Sequence, residues 1–146
     1  MSEILECYKM FVDSAHAATK QRGEANKFYV GLASSLISFV TFVSAMGFVD
    51  IHPVMFISLM TTLGLLVNLI WYFSIRSYKM LNSAKFKVIH KLEEKLSCQC
   101  YAEEWKILKR GNKVFGYQTQ SYLERWLPAM FSLPYIALFV VVLVRR

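Results

Sequence analysis

A chain of 146 residues has room for one domain, and its composition excludes an ordinary soluble one. More than half of it is apolar, at 55%, yet the net charge is +7, and the charges are segregated rather than spread. Residues 28–49, 51–75 and 126–144 hold no Asp, Glu, Lys or Arg at all.

Before the first uncharged run, Ile4, Tyr8, Phe11, Ala15 and Ala18 recur at helical spacing, with Glu3, Glu6, Asp13 and Lys20 mostly elsewhere. This predicts a cytoplasmic amphipathic helix over 1–27 leading to the membrane. The run that follows begins too late and is too long for the apolar part of a signal peptide. Residues 28–49 and 53–75 are therefore expected to form a transmembrane hairpin, each about long enough to cross roughly 30 Å of hydrocarbon at 1.5 Å per residue. The turn around Asp50-Ile51-His52-Pro53 has no Lys or Arg, whereas both flanks are basic, which puts that turn outside and the N-terminus in the cytoplasm.

Past Ile75 the pattern becomes amphipathic with no helix breaker. Tyr78, Leu81, Lys85, Ile89, Leu92 and Leu96 follow a three-four spacing that only Lys85 interrupts. The second span is thus expected to continue as one helix to about residue 96, ended by Ser97-Cys98-Gln99-Cys100. A short helix over Ala102–Lys109 follows, with Trp105 and Leu108 on one side, and then a loop at Gly111-Asn112 and Gly116. Residues 76–125 would form a cytoplasmic helical collar. Residues 126–144 are expected to be a third span, which either crosses fully or re-enters at Pro134. The fold class is therefore an all-α membrane protein with three transmembrane helices, and 1–146 is one membrane domain.

A cytoplasmic part of about 50 residues is too small to bury a persuasive core alone, so its stripe must pack on the N-terminal helix or on neighbouring copies. Leu81, Ile89, Leu92 and Leu96 are the candidate assembly residues. Within the membrane, Gly31, Ser34, Ser35, Ser38, Thr41, Ala45 and Ser58 are small or polar residues of the kind that tighten helix packing in lipid. Thr61, Gly64 and Asn68 share one face, and Asn68 is the most polar residue of any span. Its amide needs a partner, found at a helix seam or in a pore. Lys27, Arg76 and Lys79 lie where anionic lipid head groups would meet them. Trp71, Tyr72, Trp126 and Tyr29 fit an interfacial aromatic belt.

Catalytic and cofactor chemistry finds little support. Cys98-Gln99-Cys100 with His90 supplies too few ligands for a structural zinc site, and Cys7, Cys98 and Cys100 read as free thiols in a reducing compartment. His16 and His52 stand alone. In the acidic pairs Glu93-Glu94 and Glu103-Glu104, Glu94 and Glu104 read as surface ion-pair partners. No phosphate loop, nucleophile elbow or H-E-x-x-H is present. The lysines are scattered rather than gathered into a nucleic-acid patch. The chain is expected to be no enzyme and to take no cofactor.

Trp71-Tyr72 through Arg76-Ser77-Tyr78, the block Leu81 to Glu93, Ala102-Glu103-Glu104-Trp105 and Glu124-Arg125-Trp126-Leu127-Pro128 together resemble the RipA family of octameric bacterial membrane proteins. The resemblance covers about Tyr8 to Ala137 and brings no catalytic motif. It implies a multi-pass protein of the bacterial inner membrane that forms an eight-subunit ring. The expected function is a non-enzymatic, homo-octameric membrane scaffold. The alternatives are an oligomeric pore or membrane-perturbing effector in stress or phage defence, and an accessory subunit that purifies with a second polypeptide.

Overall fold

The computed structural model describes residues 2–46, 53–96, 99–110 and 124–144. Its elements are helices α1 (Ser2–Ala45), α2 (Pro53–Glu93), α3 (Cys100–Arg110) and α4 (Leu127–Val144). The expected turn before Pro53, the stop at Ser97-Cys98, the loop at Gly111-Asn112 and Gly116, and the side chains of Trp105 and Leu108 lie outside the described residues.

The amphipathic segment and the first span are one helix rather than two. Gly23 sits inside α1, and nothing lies within 4 Å of where its side chain would be. One glycine costs a helix about 1 kcal/mol, too little to break a run otherwise free of breakers. Helix α2 continues from its apolar half to Glu93, close to the expected end. There the backbone tightens, with Lys95 N–H donating to Leu92 O and Leu96 N–H to Glu93 O.

Three transmembrane helices are not found. Among the described residues two helices, Glu3–Ala45 and Val54–Glu93, are long and apolar enough to cross a membrane. The most apolar 18-residue stretches of these helices are only 11% and 22% buried, so their apolar surface faces outward, unlike that of a soluble core helix. The third segment is a shorter apolar helix, Leu127–Val141, with Pro134 inside α4. At 1.5 Å per residue the 18 residues of α4 measure about 27 Å, against roughly 30 Å of hydrocarbon.

The helices build two compact units. Unit 1 takes Met1–Gly23 and Arg76–Leu123. Ala15, Ala18 and Arg22 of α1 and Ile89 and Glu93 of α2 are buried in it, at the three-four spacing of two packed stripes. The α1 and α2 segments run antiparallel: Tyr8 bonds Glu93, Ser14 accepts from Lys85 Nζ, and Thr19 accepts from Asn82. The lysine that interrupts the apolar stripe is therefore a cross-helix tie.

Unit 2 takes Glu24–Ile75 and Glu124–Arg146. Its buried side chains include Ala33 and Val40 of α1, Thr61, Asn68, Trp71 and Ile75 of α2, and Tyr135 of α4. Three hydroxyls on the apolar helices are satisfied by their own helix: Ser35 bonds Leu32 O, Thr41 bonds Ile37 O and Thr62 bonds Ser58 O. This is how hydrocarbon tolerates them.

Candidate functional site

In unit 1 the polar centre is the Glu93 carboxylate, fully buried at the end of α2. Oε1 accepts from Tyr8 Oη at 3.2 Å and from Tyr101 N–H at 2.9 Å. Oε2 accepts from Ala102 N–H at 3.2 Å and lies 3.3 Å from His90 Nδ1. Tyr101 and Ala102 occupy the first turn of α3, where backbone N–H groups lack helical partners and the helix dipole favours an anion. Glu93 thus does for α3, from another helix, what a capping side chain does locally.

Burial is the largest single influence on Glu93 and pushes its pKa up. The bonds from Tyr101, His90, Ala102 and Tyr8 together outweigh it and hold the carboxyl below its ordinary 4.5. The converse holds for Tyr8. Burial, then the hydrogen bond and charge of Glu93, push its hydroxyl up to about 12.

In unit 2 the face of Thr61, Gly64 and Asn68 extends through Trp71 to Ile75, and it is the buried stripe of α2. The Tyr135 ring lies so close to Gly64 that a Cβ there would come within 2.1 Å of it. Its hydroxyl donates to Ala33 O at 2.8 Å, so one tyrosine of α4 ties α2 to α1. Asn68 Nδ2 donates to Gly64 O at 3.0 Å, while Asn68 Oδ1 and Thr61 Oγ1 are buried with no hydrogen-bond partner among the described residues.

Trp71 joins the same three helices. Its indole N–H donates to Asn26 Oδ1 at 2.9 Å, its ring stacks on Tyr29 with centroids 5.9 Å apart, and it meets Phe131 edge to face with centroids 5.7 Å apart. With 0% of its surface exposed, Trp71 is a core residue and not part of a lipid-facing aromatic belt, whereas Trp126 is 59% exposed and suits one. The indole N–H had to find a partner, and Asn26 supplies it from α1.

Between α2 and the start of α4 runs a cleft of about 360 Å³. Arg125 stands at it with its guanidinium 5.9 Å from the centre of the Tyr72 ring.

The other sequence-derived candidates fall as follows. Ile89 is buried within unit 1, Leu92 and Leu96 are half-buried, and Leu81 is 45% exposed. Lys27, Arg76 and Lys79 are exposed, and Lys27 pairs with Glu24 at 3.1 Å on the surface. Cys7 and Cys100 are exposed and neither forms a disulfide; Cys98 lies outside the described residues. Among the described residues no three His, Cys, Asp or Glu gather as a metal group. Glu93 and Tyr135 were not among the candidates. Glu93 had one sequence signal, its place four residues after Ile89 on the inward stripe. Tyr135 had none, because α4 is apolar all round.

Residues 5–144 match the octameric membrane protein family (8xMP). The chain belongs to that family. It is therefore a membrane protein that assembles from copies of itself. The family description carries the octamer that the resemblance implied, without the RipA name. No curated protein and no solved structure matches the chain.

Proposed function

We propose that the chain is a non-enzymatic scaffold that assembles as an octamer in the bacterial inner membrane, with unit 1 forming a collar in the cytoplasm. The observation that carries this is the apolar surface of unit 1. Leu5, Met10, Met80, Leu81, Val88 and Ile107 are exposed on helix segments rich in lysine and glutamate, outside the uncharged runs that lipid would cover. Exposed apolar groups in such a setting mark a surface for another protein. In this chain the family points to further copies.

The packing of Asn68 supports the scaffold over the pore. It is 2% exposed and bonded to its own helix, as a seam residue is. The orientation rests on the basic flanks.

Leu81→Asp and Val88→Asp test the reading, because both sites are exposed in the single chain and the fold does not depend on them. The mass of the purified assembly, read by light scattering in detergent, should fall from eight chains while helicity stays constant. An unchanged mass refutes the collar interface. Ile89→Asp is the wrong probe: Ile89 is buried, and its loss would unfold unit 1 itself.

A further inference from the structure

The cleft on unit 2 is graded from end to end. Trp71 of α2 contacts Phe131 of α4, and Gly64 lies against Tyr135, so the two helices run antiparallel. At one end stand Tyr72, Arg125 and Trp126; the walls then descend through Leu69 and Ala129 to Leu65. The charge is confined to the first end. Among the described residues Arg125 makes its cation–π contact with Tyr72 and no ion pair. Further in, Asn68 Nδ2 donates to Gly64 O and Ser132 Oγ donates to Pro128 O at 2.7 Å, so both polar groups are engaged with their own helices and the cleft's charge stays with Arg125. Trp126, exposed beside Arg125, is the residue type that settles at the level of lipid head groups.

A slot with one cation at an interfacial end and an apolar remainder fits a one-ended amphiphile. We propose that the cleft binds a single anionic phospholipid, its phosphate on Arg125 and one acyl chain along Leu69, Ala129 and Leu65. The guanidinium fork suits a phosphate oxygen pair better than a lysine would. A head group with no cation of its own leaves that charge unmasked, which favours phosphatidylglycerol over phosphatidylcholine.

The test is native mass spectrometry of the full-length assembly released from detergent after exposure to phosphatidylglycerol or phosphatidylcholine. Wild type should keep phosphatidylglycerol about five-fold more than phosphatidylcholine, the worth of one basic residue beside an anionic head group. Arg125→Gln should remove that preference. Lys91→Gln, an exposed lysine of unit 1 well beyond the uncharged run of α2, should leave it intact. Ala129→Phe, which fills the slot at an exposed position, should lower retention of both lipids. Glycerol 3-phosphate should not compete; competition would mean a site for free phosphates and overturn the lipid assignment. An undiminished preference in Arg125→Gln overturns it too, as does a changed subunit count in Ala129→Phe, which would put a second copy of the chain in the cleft. The spectrum reads subunit number and lipid number separately, so failure of the octamer and failure of the lipid site are distinguishable.

Discussion

Replacing Gly64 by Ala tests the packing of unit 2 at its tightest point. The added methyl would lie 2.1 Å from Tyr135 Cε1 and 2.5 Å from Cδ1 and Cζ, so the ring must move. Tyr135 has little room to do so, since it is fully buried and its hydroxyl is bound to Ala33 O. Overpacking of this kind costs about 1–3 kcal/mol. Losing the hydroxyl bond adds about 1 kcal/mol, and the gain from removing a helical glycine returns about the same amount. The net is about 2 kcal/mol of destabilisation, roughly thirty-fold in the folding equilibrium. Unfolding in mixed micelles titrated with sodium dodecyl sulfate, followed by circular dichroism, measures it. Tyr135→Leu in the same background should recover about 1–2 kcal/mol as coupling between the two sites. A Gly64→Ala protein at least as stable as wild type refutes the close packing of α4 on α2.

Further outcomes follow from the other contacts. Glu93→Gln should cost about 1–3 kcal/mol and raise amide exchange at Tyr101 and Ala102, read by hydrogen–deuterium exchange; unchanged protection there would remove the capping role. Because the folded pKa of Glu93 is depressed, its contribution is fully present above about pH 4.5 and is lost as pH falls through the folded value, so protection in α3 relative to the intrinsic exchange rate should fall on acidification. For Tyr8 the shift has the opposite sign: stability holds below pH 10 and falls as pH climbs from 10 to about 12, a decline that Tyr8→Phe should abolish in alkaline unfolding. Asn26→Ala with Trp71→Phe should show a coupling of about 0.6–1.7 kcal/mol in a double-mutant cycle, the range seen for hydrogen bonds between helices in membranes. Asn68→Leu should leave ion leak through reconstituted vesicles unchanged, and altered leak would favour a pore.

The two long apolar helices were legible because uncharged runs and unbroken three-four spacing are properties of the chain itself. Continuity through Gly23 was less so: a glycine marks a possible break, and only packing decides whether one occurs. The third span was overestimated because an uncharged run is not by itself a crossing, and among the described residues only two helices are long and apolar enough for one. Thr61, Gly64 and Asn68 were visible as one face of α2, but what covers that face was not, since α4 offers no apolar stripe from which to choose Tyr135. Trp71 was read as interfacial from its place near the end of a run. Its actual surroundings depend on Asn26, 45 residues earlier, which no local pattern connects to it.

The Gly64 notch also bears on how the protein is made. Its occupant, Tyr135, belongs to α4, so α1 and α2 leave the ribosome before the residue that closes unit 2 exists. During that interval the Gly64 notch has nothing to fill it, and the Ala33 carbonyl lacks the tyrosine hydroxyl it accepts in the finished unit. Domains form as synthesis proceeds, and here the last helix completes the unit. A truncated chain lacking Tyr135 would leave the notch open and α1 untied from α2 at that point before any copies assemble.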